Sequence, residues 1–315
     1  AFQGVADDHA HGAEIDGVLD EAVRIRLGAG TVEDLEEALA AVVVAHRVVD
    51  RDLASGHQTL ELEVFLHFAA VDQGFYEDEG LDVTILQGAV DIVPQTVVAS
   101  GNAEFGVAWL PKVLASIEQG ADLVNIAQPF QRSGTLQVAW ADSGIDSPED
   151  WRGKRVGTWG FGNEHELFAA MRKVGIDPEN SADVTVVSQD FTMEALLNDD
   201  LDAAQAMTYN EYAQVLEAQN PATGDLYQPE DLTVISMEDA GTAMLQDGIF
   251  ARGEWLAEAG NEDVAVRFLR ATFMGWIWCR DNFTACVDVV LENGPTLGRG
   301  HQTWQLNEIN ALIWP

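Results

Sequence analysis

The chain has few basic side chains. It carries 16 lysines and arginines against 53 aspartates and glutamates, which gives a net charge of −37. Lysine is especially scarce and occurs only as Lys112, Lys154 and Lys173. This balance argues against nucleic acid or an anionic membrane as a partner, because both are bound by basic surfaces. Since the acidic residues are spread along the whole chain, a generally acidic surface suited to a salty habitat explains them better than a site for one cation.

Long apolar runs are also absent. The longest candidate, Ala38 to Ala45, is far shorter than the roughly 18 residues that a membrane-spanning helix needs. We therefore expect no membrane insertion of this chain. No signal peptide stands at the front, and Ala1 occupies the place of Met, so either a leader has been removed or the chain is a fragment. With 315 residues and 47% hydrophobic content, the chain can form two domains or lobes.

The chain has only two cysteines, Cys279 and Cys286. On one continuous helix they would lie too far apart to bond, but Asp281, Asn282 and Thr284 between them favour a helix break and restart. A disulfide would then be feasible and would indicate an oxidising compartment. The alternative is two buried free thiols.

Several motifs of metal sites and enzymes are missing. The sequence has no G-x-S-x-G, H-E-x-x-H or P-loop motif, and Gly160-x-Gly162 is followed by His165 where a dinucleotide-binding motif has its third glycine. Glu164 to Glu166 could act as acids or bases, but consecutive helical residues point in different directions. Asp7, Asp8, His9 and His11 could ligate a metal, although a solvated terminus is the preferred interpretation. We expect no catalytic residue, metal or cofactor.

The most informative segment present is a strand, a glycine-rich turn and a helix in succession. Arg155 to Trp159 form the predicted strand, Gly160 and Gly162 allow a close backbone approach to a ligand, and Asn163 is a candidate cap for a helix from Glu164 to Val174. Exposed amides at such a helix start can bind an anion or a flat polar heterocycle. The alternative is an ordinary βα loop.

Strand and helix patterns alternate from Thr59 onward, whereas two helical patterns, Ala13 to Leu27 and Val32 to Val49, precede them. The predicted strands are 60–66, 81–86, 105–109, 123–128, 135–140, 155–159, 183–187 and 203–208, and the predicted helices include one that ends at Gln73, 92–100, 112–119, 164–174, 261–279 and 284–292. This order predicts an α/β fold with parallel sheets flanked by helices, in two lobes with a cleft between them.

Four segments in the same order resemble one protein family. They are G-F-Y-E-D-E-G-L-D-V at 74–83, S-G-N-A-E-F-G-V-A-W at 100–109, Q-G-A-D-L-V-N-I-A-Q at 119–128 and W-R-G-K-R-V-G-T-W-G-F-G-N-E from Trp151. Together they resemble the NMT1/THI5-like, thiamine-precursor-binding branch of periplasmic substrate-binding proteins (SsuA/THI5-like), over roughly Phe68 to Trp314.

The resemblance implies a type II, Venus-flytrap architecture. Lobe 1 is then expected at 59–132 plus 236–315 and lobe 2 at 133–235, after an atypical amino-terminal segment 1–58. It also implies a monomer that delivers a small heterocyclic ligand to the permease of an ABC importer. Such a protein would be periplasmic or extracellular, or a lipoprotein tethered to the membrane.

The ligand-binding residues are expected in loops that follow the carboxyl ends of strands, because these loops converge on the cleft of open α/β sheets. Aromatic rings there can stack on a heterocycle, and carboxamides and carboxylates can pair with its nitrogens. The candidates are Trp109, Gln128, Trp159, Gly160, Phe161, Gly162, Asn163, Glu164, Tyr209, Asn210 and Glu211. Four other tryptophans, Trp140, Trp255, Trp276 and Trp278, are assigned to the core.

The preferred ligand is a thiamine pyrimidine precursor of the hydroxymethylpyrimidine or formylaminopyrimidine type. Riboflavin is an alternative, and so is a pyridoxal-dependent hydroxymethylpyrimidine synthase, as in fungal relatives that consume the cofactor through their own His and Lys. A binding or sensing module attached to another protein is a further hypothesis.

The match to the family also fails in two places. The W-x-P-type loop that usually follows the first strand is missing or replaced, because E-V-F-L-H-F-A-A leads directly into a helix. The chain also stops at Leu312 to Pro315, where family members commonly continue. Both departures suggest altered or truncated ends.

Overall fold

The computed structural model describes residues 62–86, 88–89, 93–160, 162–294 and 296–314, together with three residue pairs nearer the amino end. Those pairs, Ile25–Arg26, Leu39–Ala40 and Arg47–Val48, are short strands. The predicted helices at 13–27 and 32–49 otherwise lie outside the described residues, as do Asp7, Asp8, His9 and His11. Where the two predicted helices can be compared with the structure, the backbone is extended and the prediction is wrong.

Eight of the described strands lie between Phe105 and Arg252. They are β1 (Phe105–Ala108), β2 (Leu123–Ala127), β3 (Thr135–Trp140), β4 (Arg155–Thr158), β5 (Thr185–Ser188), β6 (Ala204–Met207), β7 (Leu232–Ser236) and β8 (Gly248–Arg252). A further pair, Gly88–Ala89, is parallel to Arg47–Val48.

Twelve helices surround these strands in the part of the chain that is described from Leu62 onward. They are α1 (Leu62–Asp72), α2 (Phe75–Asp78), α3 (Pro94–Ala99), α4 (Leu110–Glu118), α5 (His165–Lys173), α6 (Glu194–Leu197), α7 (Glu211–Glu217), α8 (Met237–Ala240), α9 (Gly253–Leu256), α10 (Asn261–Asp281), α11 (Phe283–Asn293) and α12 (Arg299–Ile313). Short 3-10 helices lie at Pro148–Trp151 and Pro229–Asp231.

The first sheet has the order β1-β8-β2, and its central strand β8 is antiparallel to both neighbours. In the second sheet, β3 lies between β6 and β7 and is antiparallel to both, whereas β4 and β5 are parallel to each other. A parallel bridge between Val156 and Ala203 joins β4 to β6.

The prediction of purely parallel sheets is therefore wrong. The chain passes from the first sheet to the second through β3 and returns to the first through β8. β3 and β8 each start at the edge of their sheet where its other strands end. Each of them therefore runs antiparallel to those strands. The predicted lobe boundaries stay a prediction: β1, β2 and β8 lie in predicted lobe 1, and β3 to β7 lie in predicted lobe 2 apart from Ser236.

The sheets are covered on both faces by buried apolar side chains. Val138 and Ala139 are consecutive residues of β3, and they belong to different buried clusters because successive side chains of a strand point to opposite faces. In the first sheet, Phe105 stacks on Phe268 of α10 with ring centroids 4.3 Å apart. This arrangement fits an α/β fold with helices on both sides of each sheet.

The strand predicted at 60–66 is replaced by α1. No glycine or proline interrupts the sequence from Leu62 to Asp72, so the helix that was predicted to end at Gln73 extends back through this segment. His67 in α1 is buried, and its Nδ1 lies 2.9 Å from the hydroxyl of Tyr76. That hydroxyl lies 2.8 Å from Oγ1 of Thr272, so α1 and α2 are tied to α10. Within the described residues, 81–86 also forms no regular strand, although Leu81 and Val83 are buried.

The two cysteines form a disulfide at the junction of α10 and α11. The helix break that the sequence predicts is present, since α10 ends at Asp281 and α11 begins at Phe283. This break brings the two Cα atoms to 4.9 Å, and both cysteines are fully buried.

Candidate functional site

The candidate site is a cluster of aromatic side chains at the carboxyl ends of strands from both sheets. Trp159 follows β4 and keeps 3% of its surface exposed. Its ring is stacked on Phe191, which follows β5, with centroids 5.8 Å apart and planes 10° from parallel. Trp109, which follows β1 of the other sheet, meets Trp159 edge to face at 6.2 Å. The predicted convergence of Trp109 and Trp159 is therefore present in the structure.

Tyr209, which follows β6, is buried in the same cluster as Trp159. Trp276 is also buried there, and Trp278 packs against the cluster, so these two α10 residues belong beside the candidate site. Trp255 instead lies in the separate cluster around Phe105. The assignment of Trp276 to the core is confirmed, and the core cluster that contains it is the one around Trp159, because α10 extends from one cluster into the other.

Hydrogen bonds between neighbouring residues hold the glycine-rich loop, residues 159–163, in its conformation. Gly160 and Gly162 have φ values of 69° and 91°, in the left-handed region that favours glycine. A Cβ on Gly162 would lie 2.9 Å from Cγ of Lys112, so the loop passes closely over that lysine. The Lys112 ammonium in turn lies 5.6 Å from the centroid of the Trp109 ring. Phe161 lies outside the described residues.

Asn163 does not cap the following helix, so that prediction is wrong. The helix begins at His165, and the Asn163 side chain instead donates to the carbonyl of Gly160 at 2.9 Å. The carboxylate of Glu164 accepts a hydrogen bond from the Gly162 N–H at 2.9 Å. The loop closes on itself because its own short side chains can reach its backbone groups.

Gln205 of β6 is not among the site residues that the sequence predicts. It is fully buried, and its Oε1 accepts hydrogen bonds from the Thr158 hydroxyl at 2.7 Å and the Trp159 N–H at 3.2 Å. Its Nε2 donates to the carbonyl of Asn163 at 2.8 Å. Gln189 bonds both backbone groups of Gln205, which fixes the position of its Cα. One carboxamide thus holds both ends of the glycine-rich loop.

Asn210 and Glu211 are buried, and their side chains form hydrogen bonds with other groups of the protein. The Asn210 amide donates to Glu211 at 3.0 Å, and the other Glu211 oxygen accepts from the Met207 N–H at 3.0 Å. Nε2 of His301, in α12, lies 3.0 Å from Oδ1 of Asn210. These contacts hold the loop that carries Tyr209.

Gln128 lies near the site, but its side chain is hydrogen-bonded to backbone carbonyls in the segments that connect the two sheets. Its Nε2 donates to the carbonyls of Phe130, at 3.2 Å, and of Gln246. Phe130 is itself part of the buried cluster around Trp159. Of the predicted residues that the structure describes, the aromatic ones, Trp109, Trp159 and Tyr209, therefore belong to the cluster or pack against it, whereas most of the polar ones shape its walls.

The described part of the chain contains neither a metal-binding cluster nor a membrane-spanning helix. No group of three or more His, Cys, Asp or Glu side chains there could hold a metal ion. No described helix is both long enough and apolar enough to span a membrane.

The NMT1/THI5-like family model matches residues 63–283. Among curated proteins, the chain is 24% identical to a formylaminopyrimidine-binding protein of Halalkalibacterium halodurans over 228 residues, which cover 72% of this chain and 65% of that protein. It is also 25% identical over 136 residues to a 4-amino-5-hydroxymethyl-2-methylpyrimidine phosphate synthase of Schizosaccharomyces pombe, covering 43% of this chain and 38% of that protein. The chain thus spans less than two thirds of the length of either relative.

Among solved structures, the chain is similar to the periplasmic aliphatic sulphonate binding protein SsuA of Escherichia coli. The TM-score is 0.63 at 14% identity, and the match covers 88% of this chain and 90% of that one. The fold is therefore the two-lobed α/β fold of periplasmic binding proteins, as the sequence predicted.

Proposed function

The chain belongs to the NMT1/THI5-like family, and we propose that it binds a small aromatic heterocycle. The first candidate is a thiamine pyrimidine precursor. The preferred ligand is of the formylaminopyrimidine or hydroxymethylpyrimidine type. The observation that carries the proposal is the aromatic cluster of Trp109, Trp159, Phe191 and Tyr209 at the strand ends of both sheets. Aromatic side chains bind a flat ring through offset or edge-to-face contacts.

The proposed mechanism is closure of two lobes around the ligand, without chemistry. Trp109 follows a strand of the first sheet, whereas Trp159 and Tyr209 follow strands of the second. A ring bound between them would contact both lobes at once and so favour the closed arrangement. The protein would then deliver the ligand to an ABC importer outside the cytoplasm, as a soluble or lipid-tethered component. The buried disulfide supports that location, since disulfides persist in oxidising compartments.

A second candidate function is enzymatic. It is favoured by the similarity to the Schizosaccharomyces pombe synthase, although that match covers only 38% of the relative. We rank it below binding because the similarity to the formylaminopyrimidine-binding protein covers 65% of that relative. Of the three lysines, Lys112 lies beside the Trp109 ring, whereas Lys154 and Lys173 donate to main-chain carbonyls, of Ser143 and Ala240 respectively.

A thermal-shift screen of the purified chain tests the proposal. The panel contains hydroxymethylpyrimidine, formylaminopyrimidine, thiamine, riboflavin and pyridoxal phosphate. A ligand at a hundredfold excess over its Kd stabilises the folded state by about 2.7 kcal/mol, so its melting temperature rises. We expect the rise with an aminopyrimidine.

The other outcomes of the screen separate the alternatives. A rise with riboflavin alone would support the flavin alternative, and a rise with pyridoxal phosphate alone would support the enzyme. No rise with any compound, from a chain that melts cooperatively, would contradict the proposal.

A further inference from the structure

The carboxyl-terminal helix α12 forms a wall beside the candidate site. Nε1 of Trp304 donates to the carbonyl of Thr208 at 2.9 Å, and His301 lies one turn earlier against Asn210. Leu306 and Ile309 belong to the same buried cluster as Trp159 and Tyr209. The first half of α12 therefore packs directly on the loop that carries Tyr209.

This half of α12 buries polar atoms that have no partner among the described residues. Gln305 has no exposed surface, and neither Oε1 nor Nε2 of its carboxamide makes a hydrogen bond there. Gln302, one turn earlier, is also buried and has an unpartnered Oε1. A buried polar group without a partner destabilises a folded protein, so native proteins keep few of them.

Two further unpartnered groups lie in the adjoining cluster. The indole N–H groups of Trp159 and Trp276 are buried and make no hydrogen bond within the described part of the chain. Five of the buried polar atoms without a partner among the described residues therefore belong to α12 or to the cluster of aromatic rings. A polar aromatic ligand can supply partners to such groups while its ring contacts the aromatic side chains.

We propose that Gln305 is a specificity-determining residue of the heterocycle site and that its carboxamide forms hydrogen bonds with the amino-substituted edge of the ring. This inference rests on the proposed function. A carboxamide presents a donor and an acceptor side by side, as in the pairing of Gln or Asn with adenine. A 4-aminopyrimidine presents the complementary pair, a ring nitrogen that accepts and an exocyclic amine that donates. A ring without that amine can complete only half of the pair.

The test is a calorimetric titration of two ligands into two chains. The ligands are 4-amino-5-hydroxymethyl-2-methylpyrimidine and its analogue without the 4-amino group, and the chains are the wild type and Gln305→Met, which keeps the length of the side chain. We expect loss of the amine to weaken binding to the wild type by about ten- to a hundredfold and binding to Gln305→Met much less. The substitution itself should weaken binding of the amino compound by a similar factor.

Stability of the ligand-free chains provides an independent measurement. Replacing an unpartnered buried carboxamide with an apolar side chain should leave the melting temperature unchanged or raise it. Asn307→Met is the matched control, because it removes an exposed carboxamide from the same helix. This control should change neither the affinity nor the preference for the amine.

Each other outcome has a definite meaning. Equal losses of affinity for the two ligands in Gln305→Met, or no loss at all, would overturn the role of Gln305 and leave the proposed function standing. A ligand-free Gln305→Met chain that melts much earlier or fails to fold would make the carboxamide a structural group and would also overturn the inference. Failure of the wild type to bind either pyrimidine would contradict the proposed function itself, and this inference with it.

Discussion

Gln205 controls the shape of the candidate site at the scale of single residues. Its carboxamide contacts Thr158 and Trp159 at one end of the glycine-rich loop and Asn163 at the other. The orientation of the Trp159 ring therefore depends on a side chain that belongs to a different strand. We expect ligand affinity to depend on Gln205 even if it never touches the ligand.

The substitution Gln205→Leu should weaken both folding and heterocycle binding. It leaves the Trp159 N–H and the Asn163 carbonyl without their partner, at about 1–3 kcal/mol for each group that stays buried. Urea unfolding measures the first effect and calorimetric titration the second. Gln137→Leu is the matched control, since Gln137 is paired with Gln205 across the sheet, and among the described residues its side chain donates to the Gly157 carbonyl within β4 rather than to the glycine-rich loop.

This control should lose stability while retaining its affinity. If both variants lost affinity equally, the effect would come from general destabilisation, and the role of Gln205 would be wrong.

The sequence predicted the positions of the aromatic side chains better than the hydrogen bonds of the polar candidates. Trp109 and Trp159 end predicted strands and Tyr209 follows one, so the strand-end rule is enough to bring them together. Asn163 and Asn210 also follow strands, but nothing in the sequence shows whether an amide bonds its own loop or a ligand. Gln205 stands inside an apolar strand, where its partners depend on the packing of neighbouring strands.

At the scale of elements, the two connections between the sheets are joined by one buried glutamine, Gln246. Its Oε1 accepts from the Gly134 N–H at 3.0 Å, and its Nε2 donates to the hydroxyls of Ser133, at 3.2 Å, and Thr135, at 2.8 Å. Glu166 of α5 accepts from the Met244 N–H in the second connection. The helix that follows the glycine-rich loop is thereby coupled to both connections.

Glu166 makes this coupling sensitive to pH. Burial raises the pKa of its carboxyl group above the ordinary value of 4.5, while hydrogen bonds from Thr135, the Met244 N–H and Ser133 act in the opposite direction. The negative charge of Glu238 adds to the rise in this pKa. A raised folded-state pKa means that the stabilising contribution is complete below about pH 4.5 and is lost as the pH rises through the folded value.

Glu166→Gln should therefore gain stability relative to the wild type as the pH increases. The measurement is the free energy of unfolding in urea at several pH values from 4.5 upward. Glu194→Gln, at an exposed position, is the matched control. A Glu166→Gln difference that is constant or that shrinks with rising pH would contradict this prediction.

The disulfide stabilises the junction of α10 and α11. Because it closes a short loop with a sequence separation of 7, the chain-entropy model gives a contribution of about 2–3 kcal/mol. The double substitution Cys279→Ala and Cys286→Ala should lower the free energy of unfolding by about that amount or more, since both side chains are buried. A reducing agent should lower the melting temperature of the wild type and leave the variant unchanged. Equal stability of the oxidised and reduced wild type would contradict the prediction.

Most elements between β1 and α11 follow their predicted positions closely, because glycine and polar turns separate short periodic segments there. The failures have physical causes. The segment before Asp72 contains apolar residues that suit either a strand or a helix, and packing against α10 decides for the helix. The antiparallel strands β3 and β8 depend on how the chain crosses between sheets, which periodicity does not reveal. Helix α12 was missed, and with it the wall that contains Gln305.

At the scale of the whole molecule, the dominant feature is the net charge of −37. Repulsion among so many carboxylates disfavours a compact state at low ionic strength. Raising the salt concentration from about 0.1 M to 1 M shortens the Debye length from about 10 Å to 3 Å and screens that repulsion. The melting temperature should therefore rise between these two concentrations of potassium chloride. A constant or falling melting temperature would show that the acidic surface does not limit stability.

The central claim is that a heterocycle binds between the aromatic residues of the two sheets. A crystal structure of the chain grown with 4-amino-5-hydroxymethyl-2-methylpyrimidine tests it most directly. We predict that the pyrimidine ring lies in contact with Trp109, Trp159 and Tyr209, with the amino edge toward α12. A ring bound outside this cluster, or no ring at saturating concentration in well-ordered crystals, would contradict the account.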